Sequence, residues 1–527
     1  MFLLAIVIAL YGEGIFLLGI YGLLFPKIIL FWTVITGILL ALALSKLKAI
    51  RLRFSKERVA KASFLCLVLL TLVNLVGVLG PETSFDALWY HLTLPKLFLL
   101  SHRISFIPGG LFYYSIMPKL GEMFFIPALV FGNEIIAKAI QYFFGLLTVF
   151  ALYKLSRRFL SPLYSLLVCV IFYSNIVVAW ESSVAYIDII RTFFEVMTLW
   201  GFILWVDTKE KKWLYMSSLF CGFAITTKLL ALGSSVIFTL LISIVLWKQK
   251  IVSVKRVITN ILVYWFLSIL VVLPWLVFSY LSTGNPFYPF FTSTYPVSAH
   301  YAISFLPDFF RVFLFSDDPI SPLYIIVLPL VIFYFSSFRT TEKLIGCYAF
   351  IALFLWYVTP QTGGGRFILP YLPAFSLLVG IVMTYLKKEN VLYKTIFGTV
   401  FFLAVVTIMY RGIANSRYLP VIFGQQTKAD FLRKHLHFSF GDFYDTDGYF
   451  KKTIRSSDTV LLFGFHNLYY ADFPFIDSSY IKKGDKFIYI ATQNAVLPNR
   501  FSDWKLLYTN LITHVKLYNK QRTVWEY

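Results

Sequence analysis

The 527-residue chain is 59% hydrophobic and 14% charged, with a mean hydropathy of +0.76. So apolar a chain has too little polar surface to form a single soluble core. Its formal charge of +21 falls mostly in short loops between apolar runs, and no basic patch interleaves with aromatics on a polar face, which excludes nucleic acid as a partner. The four cysteines, Cys66, Cys169, Cys221 and Cys347, sit inside apolar runs and offer neither a disulfide framework nor a CxxC metal pattern.

Allowing ~20 apolar residues per crossing, spans are expected near 3–25, 28–46, 63–80, 134–153, 162–180, 184–206, 214–231, 234–247, 257–281, 322–337, 344–358, 367–386 and 395–410. The first run, Met1 to Phe25, lacks the positive start and small-residue cleavage site of a secretory signal and reads as a membrane span. Lys46, Lys48, Arg51, Arg53, Lys56, Arg58 and Lys61 follow the second span. On the same side fall Lys154/Arg157/Arg158, Lys209/Lys211/Lys212, Lys248/Lys250/Lys255/Arg256, Arg339/Lys343 and Lys387/Lys388/Lys394, which the positive-inside rule places in the cytoplasm.

The loops 81–133 and 282–321 and the tail 411–527 fall on the other side, with all seven histidines: His91, His102, His300, His435, His437, His466 and His514. In the first loop, Leu92 to His102 reads as an interfacial amphipathic helix and 116–132 as an apolar, re-entrant piece. After Tyr410 the composition becomes that of a soluble α/β domain, with a helix over Lys428–His437 and strands over Thr459–Phe463, Lys486–Ala491 and Leu506–Leu511. The expected architecture is an α-helical polytopic membrane protein of about 13 transmembrane helices with a small C-terminal extracytoplasmic α/β domain. Its parts are 1–62, an N-terminal transmembrane hairpin with a basic loop; 63–410, a transmembrane catalytic core; and 411–527, the soluble domain.

Chemistry gathers at the external surface. The stretch PETSFDALWYHLTLP, Pro81 to Pro95, brings Asp86, Tyr90 and His91 to the end of a span. Charges inside a membrane are costly and therefore mark function. Asp188, Arg191 and Glu195 share one helical face, as do Glu134, Lys138 and Gln141; Lys228 (GFAITTK) and Arg366 (GGGRFILP) lie near external ends. Each has a plainer reading: Arg191 neutralising two acids as a ladder, Glu134 and Lys138 joining helices, Tyr90 and His91 anchoring at the interface. Two cations with Asp86 and Asp188 suit sugar transfer from a lipid phosphate. The tail stays in the bilayer, Lys or Arg stabilises the departing phosphate, and a carboxylate takes the acceptor's proton.

The succession FDALWYHLTLPK, AYIDIIRTFF, GFAITTK, VLPWLVFSYLSTGNPFYPFF and GGGRFILPYLPAF resembles the motifs of the C-type (GT-C) membrane glycosyltransferases. The nearest branch is that of the dolichyl-phosphate-mannose protein mannosyltransferases and bacterial aminoarabinose transferases, over about 63–410. The resemblance implies that Asp86 is the acidic residue of the first loop, acting as base or positioning the acceptor, and Asp188 the second acidic position. It implies that Lys228 meets the carrier phosphate and that Arg366, in RFILP, is the arginine of an Arg-Tyr-x-x-Pro-like segment. Protein mannosyltransferases carry Asp-Glu in that loop where this chain has Asp86-Ala87. Tyr90, His91, Glu134, Lys138 and Arg191 are the candidates for positioning donor or acceptor.

The expected partners are a polyprenyl-phosphate sugar donor, the lipid bilayer and a glycan, lipid or protein acceptor, with inversion at the anomeric carbon. No cofactor is required by the sequence, and a divalent cation on Asp86, His91 and His300 is compatible with ligand chemistry. Asp445-Thr446-Asp447 resembles the metal-holding DxD of nucleotide-sugar enzymes but lies outside, away from nucleotides, and reads as a solvated loop. No phosphate-binding GxxxxGK[ST] is present. Glu13, in the first span, has no evident partner. The alternative reading, a multi-pass transporter or lipid flippase, calls for internal symmetry that the sequence lacks.

Overall fold

The computed structural model describes residues 1–46, 58–247, 253–293, 318–358, 364–520 and 523–527. His300, Lys48, Arg51, Arg53, Lys56, Lys248, Lys250 and most of the loop 282–321 lie outside them. The helices are α1 (Phe2–Ile20), α2 (Pro26–Ser45), α3 (Arg58–Leu79), α4 (Thr93–Leu100), α5 (Leu120–Phe131), α6 (Glu134–Ser156), α7 (Pro162–Tyr173) and α8 (Ile176–Glu181). They continue as α9 (Asp188–Thr208), α10 (Lys211–Thr227), α11 (Leu232–Trp247), α12 (Val254–Thr283), α13 (Leu323–Tyr334), α14 (Thr340–Val358), α15 (Leu372–Tyr385) and α16 (Val391–Ser416).

Among the described residues nine helices are long and apolar enough to cross a membrane. The shorter α7, α10, α13 and α15 stand where four further spans are expected. Burial ranks them: 94% of the apolar window of α9 is inside the molecule against 17% for α2 and 22% for α12, so α9 is the central post and α2 and α12 present their sides outward. At 1.5 Å per residue the 12-residue α5 reaches only ~18 Å, short of the ~30 Å hydrocarbon layer, so it does not cross alone.

Two expected spans are broken where polar side chains take backbone groups. The run 162–180 stops at Tyr173 because the Asn175 side-chain amide donates to the Ile171 and Phe172 carbonyls (2.8 and 3.0 Å) and so closes the helix end. The run 184–206 becomes helical only at Asp188, since the Ala185 amide donates to the Glu82 carboxylate instead (2.7 Å). Lys228 is extended and divides the apolar stretch into α10 and α11. Glu13 does have a partner: the Trp275 indole N–H of α12 donates to it at 3.0 Å, and Phe16 stacks on the same indole.

The C-terminal domain has strands β1 (Val460–Phe463), β2 (Phe475–Asp477), β3 (Lys486–Phe487), β4 (Tyr489–Gln493), β5 (Lys505–Thr509), β6 (Val515–Asn519) and β7 (Trp525–Glu526). The main sheet runs β2-β1-β4-β6-β5, and β3 pairs with β7. β1 is parallel to both β2 and β4, while β6 is antiparallel to β4 and β5. The helix signal resolves as Lys428–His435, capped by the Thr427 hydroxyl, and the run Lys486–Ala491 divides between β3 and β4. Successive side chains point to opposite faces of a strand. On one face Leu461 and Ile490 pack with Phe487, Phe501 and Trp504. On the other, Val460, Leu462, Tyr489, Ala491, Val515 and Leu517 join Tyr90, Leu94, Phe98, Leu111 and Phe112 of the first loop in one core.

The amphipathic segment Leu92–His102 is accordingly a helix covered by this domain rather than one lying free at an interface. Lys96 of α4 donates to the Tyr469 and Ala471 carbonyls (2.8 and 2.9 Å) and pairs with Asp472 (2.6 Å). Gly109, at φ +90°, lets the loop pass where a Cβ would lie 2.1 Å from the Ser479 carbonyl oxygen.

Candidate active site

The loop that follows α3 is fixed from three directions. Lys138 of α6 is fully buried and donates to the carbonyls of Gly77 (2.7 Å) and Gly80 (2.9 Å), satisfying the open end of α3. Glu82 accepts the Thr83 and Ser84 amides at 2.8 Å each and, from the start of the α9 segment, the Ala185 amide. The Tyr470 hydroxyl of the C-terminal domain donates to the Glu82 carbonyl (2.9 Å). Asp86 is thereby held at the mouth of the helix bundle, its amide donating to the Tyr186 hydroxyl (3.2 Å).

Two ion pairs meet there. Arg366 Nη1 donates to Asp86 Oδ2 at 2.7 Å, with the two side chains 15% and 14% exposed. Lys228 Nζ donates to Asp188 Oδ1 at 2.6 Å. Asp188 opens α9 and Lys228 closes α10, so each charge also sits at the favourable end of a helix dipole. Phe367 lies under both cations, 4.9 Å from Lys228 and 5.4 Å from Arg366, and Tyr186 lies 5.1 Å from Arg366. Burial works against the Arg366 charge, but the Asp86 and Asp188 carboxylates outweigh it and hold the guanidinium well above its ordinary value. Its Nε is buried without a hydrogen-bond partner. The two cations thus share one phenylalanine as their seat, with a carboxylate beside each.

Arg191 and Glu195 lie deeper and do not join this seat. Arg191 pairs with Glu195 (3.2 Å) and donates to the Tyr371 hydroxyl (2.9 Å); Ser234 donates to Glu195 (2.6 Å). This buried network ties α9 to α11 and to the turn five residues beyond Arg366, and so aims the arginine. Glu134 and Lys138 also point elsewhere, although they share a helical face. Lys138 caps α3, and Glu134 is bound by Lys428 and by the Tyr469 and Tyr470 hydroxyls (3.3 and 3.4 Å), fastening the C-terminal domain.

Sequence reasoning passed over four residues here: Glu82, Lys119, Glu122 and Glu181. His91 Nδ1 and Glu122 Oε1 are 3.0 Å apart, and Lys119 pairs with the same oxygen at 3.2 Å. Lys119 lies 5.3 Å from the Tyr90 ring and 5.8 Å from Tyr114, while His91 packs near Tyr186. This third cation therefore borders the first site. The signal was two charges, Lys119 and Glu122, inside an apolar loop segment. Asp445 and Asp447 accept the Lys451 and Tyr449 amides, and Asp447 also the Tyr508 hydroxyl, a structural use. Among the described residues no group of three His, Cys, Asp or Glu side chains is placed to hold a metal ion.

A family model described as dolichyl-phosphate-mannose-protein mannosyltransferase matches residues 121–289. That stretch includes Glu122, Glu181, Asp188 and Lys228 and leaves Asp86 and Arg366 outside it. No curated protein matches the sequence. Among solved structures, ArnT from Cupriavidus metallidurans bound to undecaprenyl phosphate is similar at a TM-score of 0.58 and 12% identity, over 86% of this chain and 97% of that one. Its apo state is similar at 0.59 and 10% identity, with the same coverage. The chain shares the fold of ArnT. An archaeal oligosaccharyltransferase, AglB from Archaeoglobus fulgidus, matches at a TM-score of 0.46 and 11% identity over 81% of this chain and 69% of that one. The GT-C likeness to ArnT spans more of the chain than 63–410 alone would supply, so it reaches into regions beyond the expected core.

Proposed function

We propose that this protein transfers a sugar from a polyprenyl-phosphate donor to an acceptor hydroxyl or amine at the extracytoplasmic face of the cell membrane. The observation that carries the reading is the pair of carboxylate–cation contacts, Asp86–Arg366 and Asp188–Lys228, built over one phenylalanine at the end of the central helix. The solved ArnT bound to undecaprenyl phosphate supports a lipid phosphate as the ligand of such a fold. Arrival of the donor phosphate draws Arg366 and Lys228 away from their carboxylates. Asp86, released, takes the proton of the acceptor as its oxygen or nitrogen attacks the anomeric carbon. The bond from that carbon to the phosphate oxygen breaks, and polyprenyl phosphate leaves with the electron pair, its added charge met by the two cations. One displacement inverts the anomeric centre. Asp188 orients the cation of its own pair and the acceptor beside it.

The test is transfer of labelled sugar from a panel of polyprenyl-phosphate sugars by purified protein, wild type beside Asp86→Asn. Transfer with inversion that Asp86→Asn reduces by about 10²–10⁴ is expected. Retention of configuration, or undiminished transfer by the variant, refutes the mechanism.

A further inference from the structure

Glu181, the last residue of α8, is fully buried, and neither of its carboxyl oxygens has a hydrogen-bond partner. It belongs to the connection between α7 and α9 rather than to a long apolar helix. The groups that act on it electrostatically are those of the site itself, Asp188, Arg366 and Lys228, together with Asp318. The other charged groups nearby are engaged elsewhere. Arg411 of α16 donates to the Ser183 hydroxyl and to Asn415 (2.8 and 2.9 Å), and Glu82 takes the Ala185 amide. A buried polar group left unbonded is costly, and an ionised one far more so. Such a residue persists where a ligand supplies the missing partner.

We infer that Glu181 is a neutral carboxylic acid that donates a hydrogen bond to the phosphate of the lipid donor, a positioning role that rests on the function proposed above. Asp188 is neutralised by Lys228 at 2.6 Å, whereas neither Glu181 oxygen has a partner that would hold a charge there, so of the two carboxyls it is Glu181 that carries a proton. Burial, reinforced by Asp188 and opposed by Arg366 and Lys228, raises Glu181 well above the ordinary carboxylate range. An ionised carboxylate would repel a phosphate; a protonated one binds it. As the carbon–oxygen bond breaks, the phosphate gains negative charge and the O–H···O contact strengthens, which stabilises the transition state more than the bound donor. The proton stays on Glu181 throughout.

The test is binding of decaprenyl monophosphate, with decaprenol as the uncharged control, to detergent-purified wild type, Glu181→Gln and Glu181→Ala between pH 6.5 and 9. Wild type is expected to prefer the phosphate and to lose affinity as pH rises and Glu181 ionises. Glutamine, isosteric and still a donor, retains binding and removes the alkaline loss; alanine weakens binding about tenfold or more. An alkaline loss unchanged in Glu181→Gln overturns the inference, as does wild-type affinity in a folded Glu181→Ala. Wild type that binds phosphate and alcohol equally overturns the functional reading together with it.

Discussion

If Asp86 and the donor phosphate compete for Arg366, then Asp86→Asn moves binding and turnover in opposite directions. In the ligand-free protein the guanidinium and carboxylate meet at 2.7 Å with only 15% and 14% of their side chains exposed. A hydrogen bond to a charged group is worth ~1.5–3 kcal/mol, and asparagine keeps a bond to the guanidinium but loses the carboxylate's charge, roughly half of that value. The difference, about 1–1.5 kcal/mol, no longer has to be surrendered when the phosphate takes Arg366, so the variant is expected to bind it roughly tenfold more tightly. Titration of wild type and Asp86→Asn with decaprenyl monophosphate, followed by tryptophan fluorescence and repeated at two salt concentrations, measures this. Weaker or unchanged binding in the variant refutes the exchange of partners on which the mechanism depends.

The deeper network should behave as structure rather than chemistry. Glu195→Leu leaves Arg191 buried without its carboxylate and is expected to cost about 3–5 kcal/mol of stability, with Arg191→Met in the same chain recovering much of the loss; thermal melts of the single and double variants report it. Glu134→Ala removes the anchor shared by Lys428, Tyr469 and Tyr470, and trypsin is expected to cut near Arg417 and Lys428 faster than in wild type.

The spans and the four central charges were legible in the sequence because each obeys a one-dimensional rule: apolar length, charge at a span end, order of motifs. Pairing was not legible. Asp86 and Arg366 lie 280 positions apart, and no spacing reveals that they touch. Helical spacing placed Glu134 and Lys138 on one face correctly, yet a four-carbon lysine stem reaches down to α3 while the glutamate at the helix start faces the tail. Glu181 closes an apolar run and looks like ordinary surface punctuation; only the fold turns it inward. Strand β2, at three residues, is too short to show an alternation, and β6 presents lysine and asparagine among its apolar positions.

The shared core between the sheet and the first loop sets the order in which this protein can become competent. Asp86 leaves the ribosome early, but the groups that seat its loop do not: the Tyr470 hydroxyl on the Glu82 carbonyl comes 388 residues later, and the carbonyls that hold Lys96 come 373 and 375 residues later. During synthesis the inserted helices carry an unassembled loop, and an unfinished chain lacks the contacts that seat Asp86. Completion of the tail is the step that assembles the site.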